Sequence, residues 1–132
     1  SLRVLGGSLF CDRSDPAALV IQADNSTSYK QLLAAHNLQG LAAPDFKREI
    51  AGLVEIGQRR ILGYGLQPSA EHAPVQNGVA SIAVRVLEPP RDALVGQALT
   101  SPCLLLAVER EEVSTVQVQD QHGRILGQVH IN

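Results

Sequence analysis

"SPCLLLAVER", residues Ser101 to Arg110, decides the fold. After Pro102 the six residues Cys103 to Val108 are apolar without a break, and charges follow at Glu109 and Arg110. So short a run, bounded by turn chemistry, reads as a strand buried on both faces, since a helix buried to that degree needs about 10–12 residues. Such a strand is the centre of a sheet and must be covered on two sides. Glu49 to Gly57, "EIAGLVEIG", repeats the pattern: Ile50, Leu53, Val54 and Ile56 crowd both faces of a second strand.

Working outward, Leu2 to Phe10 carries Val4, Leu5, Leu9 and Phe10 around Gly6-Gly7, a strand with a bulge or bend. "DRSDP", Asp12 to Pro16, ends it with turn residues, and the apolar stretch Ala17 to Ala23 is the next strand. The period then changes. Ser28 and Gln31 have capping-box spacing, Tyr29, Leu32, Leu33 and His36 share one helical face, and Gly40 is a stop. Pro44-Asp45 marks a turn before the strand at Glu49. Asn77-Gly78 signals a hairpin, and "VASIAVRVLEPP" alternates, with Ile82, Val84 and Val86 on one face until Pro89-Pro90 ends it. A last hairpin joins Val116 and Val118 through "DQHG" to Ile125, Val129 and Ile131, all five expected inward. The pattern predicts one domain over residues 1–132, α+β and mainly β, with antiparallel sheets in a sandwich or open barrel. It contains about seven or eight strands and one α-helix near residues 28–37.

Composition narrows the function. A chain of 132 residues buries roughly two thirds of its unfolded surface. With 45% hydrophobic but 3% aromatic residues, its core is Leu, Val, Ile and Ala; Phe10, Phe46, Tyr29 and Tyr64 are the large rings, too few for a stacking platform. Net charge is −2, and the 11 basic residues are scattered, with Lys47-Arg48 and Arg59-Arg60 the adjacent pairs. That excludes the concentrated positive face nucleic-acid binding requires. No window reaches the roughly 18 consecutive apolar residues of a membrane-spanning helix. The absence of Met, even at the first position, points to Ser1 as a processing boundary. Phe10 directly before Cys11 does not fit a lipoprotein cleavage box, which needs a small residue there.

Residues that could carry chemistry are few. Cys11 and Cys103 have no CxxC or Cys/His spacing, which argues against zinc. Two readings stay open for them: a disulfide between the N-terminal and a central strand, or two separate buried thiols. No G-x-S-x-G elbow or local cysteine signature is present, and burial of Cys103 would suppress its reactivity. His72, His122 and His130 fall in a loop, a turn and a strand without metal spacing, and His130 is expected to face solvent. His36, alone on the apolar side of the helix, reads as packed rather than as a ligand. Glu109, Glu111 and Glu112 at a strand end, and Asp12 and Asp15 in a turn, read as solvated rims. The expectation is a chain without catalytic residues, metal or cofactor. The remaining stretch of interest is "RRILGYGLQP", Arg59 to Pro68: Tyr64 between Gly63 and Gly65, beside Arg59 and Arg60, is a candidate binding loop. The competing reading has Gly63 and Gly65 permitting a bulge and Tyr64 packing over the helix.

From Tyr29 onward, one ordered series of short motifs resembles the C-terminal domain family of the protease-complex subunit PrcB and its relatives. The series is "SYKQLLAAHN", Asp45-Phe46, "VEIGQRR" ending in a Gly57 strand, the Gly-Tyr loop, "VRVLEPP", and the Ser-Pro entry of "TSPCLLLAV". The family loop reads Thr/Gly-Gly-Tyr after a basic residue and proline; Arg60-Ile61-Leu62-Gly63-Tyr64 lacks the first glycine and the proline. The resemblance implies an exported bacterial protein of the periplasm or cell envelope, without catalytic machinery. It would act as a protein-interaction module that stabilises or regulates a secreted subtilisin-like protease. Many relatives are small envelope proteins of unknown role, so the alternative expectation is a small-ligand-binding or sensing domain.

Overall fold

The computed structural model describes residues 2–11, 14–39 and 41–131. Among them the chain forms eleven strands and one helix, arranged as two packed sheets with a helical cover. The first sheet contains β1 (Leu2–Ser8), β2 (Leu19–Ala23), β3 (Glu49–Glu55) and β9 (Cys103–Glu109), in the order β1-β9-β3-β2, every pair antiparallel. β3 and β9 are its interior, with Leu53 opposite Leu105 and Val54 opposite Leu104. Successive side chains of a strand point to opposite faces. Ala51, Leu53, Leu105 and Ala107 accordingly pack towards the helix, while Ile50, Val54, Leu104, Leu106 and Val108 pack towards the second sheet. Cover on both faces is why these two segments show no polar alternation. The register of β1 slips between Val4 and Gly6, which is the bulge that Gly6-Gly7 signals.

The second sheet runs β11 (Ile125–His130), β10 (Thr115–Gln119), β7 (Val79–Leu87), β5 (Gly65–Pro68), and β6 (Val75–Gln76) also pairs with β7. Ala80, Ile82, Val84, Val116 and Val118 are its fully buried inner face. Asn77 (φ 53°) and Gly78 (φ 80°) both adopt left-handed conformations, the requirement of a type I′ turn, and set Gln76 opposite Val79. One pair, β7 with β10, is parallel, because the chain crosses through the first sheet as β9 between them. Among the described residues the sheets form no closed barrel. Ile125 departs from its expected place, being 54% exposed. An extra residue, Leu126, interrupts the pairing between Val118–Gly127 and Gln119–Ile125, so the inward phase passes to Leu126.

The remaining strands, β4 (Arg59–Ile61) and β8 (Gln97–Thr100), form a separate two-stranded ribbon. They raise the strand number above that expected, and their three or four residues explain why alternation does not reveal them.

The helix, α1, spans Ser26–Ala35. Its cap is Asn25 rather than Ser28: the Asn25 side chain accepts from Ser28 N at 2.8 Å, and Ser28 Oγ accepts from Asn25 N at 3.3 Å. The same three-residue spacing recurs one turn earlier, so the box closes on Asn25 and Ser28. Tyr29 and Leu32 are buried; the Tyr29 hydroxyl donates to Ala42 O at 2.7 Å and its ring meets Phe46 edge-on at 5.7 Å. The helix ends at Asn37 (φ 55°), where Leu38 N returns to Leu33 O at 2.9 Å. Gly40, the expected stop, and Asp12 with Arg13 of the expected turn lie outside the described residues. A disulfide joins Cys11 to Cys103, and both residues are buried beneath the helix. Of the two readings open for these cysteines, the first holds.

Candidate functional site

The Gly-Tyr stretch lies where the ribbon meets the second sheet. Gly63 (φ 106°) turns the chain from β4 into β5, and a Cβ there would sit 2.7 Å from the Pro89 side chain. Glycine therefore permits both the conformation and the close contact with the loop of residues 88–96. Leu62 N donates to Gly96 O at 2.9 Å, a second tie between the two loops. Gly65 is an ordinary, buried strand residue opposite Leu87, so Gly63 and Gly65 bracket a turn rather than a bulge. The ribbon's irregularity instead falls between Arg59 and Ile61.

The two arginines separate. Arg59 Cζ lies 5.3 Å from the Tyr64 ring centroid, and its guanidinium donates to Pro16 O at 3.3 Å and to Gln58 O at 3.2 Å. It clamps the ribbon to the segment after β1 and holds the ring in place. Arg60 is exposed and makes no hydrogen bond or ion pair among the described residues. Tyr64 does not pack over α1; it is partly buried and borders an open channel of about 500 Å³ with Val4, Gly7, Leu66 and Leu87, between the edge strands β1 and β5. The structure thus brings Arg59, Gly63, Tyr64 and Gly65 together as a braced turn and leaves Arg60 free at the surface.

Around that turn the exposed apolar side chains accumulate. Leu94 is fully exposed in the 88–96 loop, Leu99 of β8 is 61% exposed, and Leu62 is exposed beside them. Along the ribbon lie two adjoining hollows of about 240 and 480 Å³, which share Gln58 and Leu99 as lining residues. The first is bounded by Phe10 and Asn37, the second by Arg60. Thr100 lines the smaller hollow; it is 3% exposed, and its hydroxyl has no hydrogen-bond partner among the described residues. An unmade hydrogen bond on a buried hydroxyl costs about 1–3 kcal/mol, so this group marks a place that lacks a partner.

A larger cleft, about 760 Å³, lies at the far end of the first sheet between Asp45, Lys47, Arg48, Glu49, Glu109 and Arg110. Its charges are of both signs and several are already engaged. Arg3 Nη2 donates to Glu49 Oε1 at 2.7 Å, Asp45 N donates to the same oxygen at 3.0 Å, and Arg110 donates to Phe46 O. The hydrogen bond from Arg3 holds the Glu49 carboxyl below the ordinary carboxylate range against partial burial, with help from the Asp45 N–H. Size therefore does not make this cleft the better candidate.

The other residues considered for chemistry are dispersed. The cysteines are joined to each other. His72 and His122 are exposed, and exposed His130 has its Nδ1 2.9 Å from Thr115 Oγ1. Among the described residues no three His, Cys, Asp or Glu side chains gather around one point that could hold a metal ion. Glu109, Glu111 and Glu112 are exposed at the end of β9, and Asp15 accepts the Ala17 N–H at 2.8 Å within its turn. His36 is packed, but it has a partner that sequence reasoning missed. Its Nδ1 donates to Glu55 Oε1 at 2.7 Å, and Glu55 is 1% exposed, opposite Cys103 in the sheet. The available signal was a carboxylate in a strand covered on both faces, which requires a buried cation or donor.

Among the described residues no helix is long and apolar enough to cross a membrane. Comparison of the chain with protein-family models, with curated proteins and with solved structures yields no match.

Proposed function

We propose that this chain is a non-enzymatic, exported interaction module that contacts a protein partner through the β4–β8 ribbon and the adjoining 88–96 loop. The observation that carries this reading is the exposure of Leu62, Leu94 and Leu99 on the ribbon and on the 88–96 loop, which the Leu62 N–Gly96 O hydrogen bond and the close contact of Gly63 with Pro89 tie together. Exposed leucines cost solvation in the free protein, and a rigid presentation lowers the entropy lost when a partner covers them. The disulfide fits an oxidising compartment. Under the PrcB-like resemblance, a secreted subtilisin-like protease is the first partner class to test, with stabilisation or regulation of that protease as the role. A second reading, a small-ligand-binding or sensing domain, is favoured by the hollow beside Thr100.

Capture from native envelope extract tests the proposal, comparing the wild type with Leu94→Asp and Tyr64→Ala. Leu94→Asp should lose the captured protein, and Tyr64→Ala should weaken its capture by loosening the turn. Equal recovery by all three proteins would remove the ribbon from the interface. A small molecule retained in native mass spectrometry would move weight to the second reading.

A further inference from the structure

We infer that the groove formed by the two hollows along the ribbon seats an extended, carboxylate-bearing segment of the partner protein. This rests on the interaction reading above and specifies the chemistry of the partner. Three observations bear on it. Thr100 lines the groove, its hydroxyl lies closed to solvent with no hydrogen-bond partner among the described residues, and a hydroxyl both donates and accepts, as a peptide group does.

The second observation is charge. In a chain of net charge −2, none of the described residues lining either hollow is a carboxylate, while Arg60 presents a free guanidinium. Arginine matches a carboxylate with two parallel hydrogen bonds, so the complementary ligand is acidic.

The third observation is the pattern along the groove. Exposed apolar side chains, Phe10 (56% exposed) and Leu99, are interspersed with the amides of Asn37, Gln58 and Gln97. Among the described strands β4 and β8 pair only with each other, and the segment around Phe10 bridges only Ser101, just past the end of β8. An extended peptide satisfies such a surface by alternating apolar and acidic side chains while its main chain meets the amides and the hydroxyl.

The test uses the whole oxidised chain and three pools of fluorescent octapeptides, apolar at alternate positions with glutamate, glutamine or lysine between. Oligogalacturonate serves as an acidic ligand that is not a peptide. The glutamate pool should bind, and replacement of glutamate by glutamine should weaken binding about tenfold, the effect expected of a charge-assisted bond. Arg60→Gln and Thr100→Val should each weaken binding of the glutamate pool by about tenfold as well, with the urea midpoint of neither variant falling. The midpoint identifies folding effects: Arg60 is exposed, and valine replaces threonine at constant shape. Absence of binding, equal binding of all three pools, or indifference to both substitutions would overturn the inference. Binding of oligogalacturonate in place of the peptides would overturn it too, by assigning the groove to an acidic glycan. The two proposals fail separately. Should Leu94→Asp abolish partner capture while Arg60→Gln and Thr100→Val leave it intact, the ribbon reading stands and the groove assignment falls. Peptide binding at the groove with capture indifferent to Leu94→Asp gives the reverse.

Discussion

Two carboxylates show how placement sets what a single residue contributes. Glu55 is a carboxyl group within the central sheet, and His36 from the end of α1 is one of its partners, at 2.7 Å. Deleting one donor to a buried carboxylate costs about 1–3 kcal/mol. His36→Ala should therefore lower stability by about 1–3 kcal/mol, and adding Glu55→Gln should recover part of that loss. Urea unfolding of both variants measures it; a loss in the double variant equal to the sum of the two single losses would mean that the groups do not interact. Glu49 is the opposite case, an outer carboxylate held by Arg3 at 2.7 Å. Its native titration lies below the ordinary value of 4.5. A carboxyl depressed in the folded state stabilises the fold fully above its unfolded value, and that contribution disappears as pH falls through the native one. Wild type should therefore exceed Glu49→Gln in stability at pH 7, and the gap should shrink as the medium is acidified below 4.5. A gap unchanged down to pH 2 would show that the Arg3 contact does not operate in solution.

Elements differ in how much of their structure the local sequence holds. β3, β7 and β9 are legible because burial on one or two faces writes itself directly into apolar alternation or apolar runs. Asn77-Gly78 is legible because a type I′ turn has a narrow chemical demand. The helix is legible, but its start is ambiguous: Ser28 with Gln31 and Asn25 with Ser28 share one spacing, and only the backbone at Asn25, extended at φ −152°, decides between them. Asn25→Ala should accordingly cost about 1 kcal/mol, and Gln31→Ala less than about 0.5 kcal/mol. Thermal unfolding of the two variants distinguishes the caps, and a reversed order would restore the box at Ser28. The candidate site was legible only as the stretch Arg59 to Gly65. Its groove was not, because β4 and β8 are too short to show a period and are paired across β5, β6 and β7. Nor does any local pattern report that the Thr100 hydroxyl is buried without a partner among the described residues, or that an extra Leu126 turns Ile125 outward.

At the scale of the whole molecule, one segment couples the disulfide to the ribbon. Cys11 bonds to Cys103 across 92 positions, and the chain just beyond it reaches the ribbon: Asp15 O accepts Gln58 N at 2.9 Å, and Pro16 O accepts Arg59 Nη1 at 3.3 Å. A cross-link closing so long a loop removes roughly 4–5 kcal/mol worth of unfolded-state entropy, an appreciable share of the roughly 5–15 kcal/mol that holds a domain together. The pairing of β1 with β9 does not depend on it, and Leu9 O and Ser101 O still bond across the same site through Ser101 N and Cys11 N. Reduction should therefore leave the fold in place but lower its melting temperature by roughly 10–20 °C. The loss should not be uniform. The ribbon joins neither sheet through strand pairing and depends on the segment after Cys11 for its bracing. Hydrogen exchange after reduction should accordingly accelerate first at Arg59–Ile61 and Gln97–Thr100, while β3 keeps its protection. Cys11→Ala/Cys103→Ala should reproduce that profile without added reductant. Faster exchange spread evenly over both sheets would mean that the cross-link stabilises the domain only globally and plays no part in holding the contact surface.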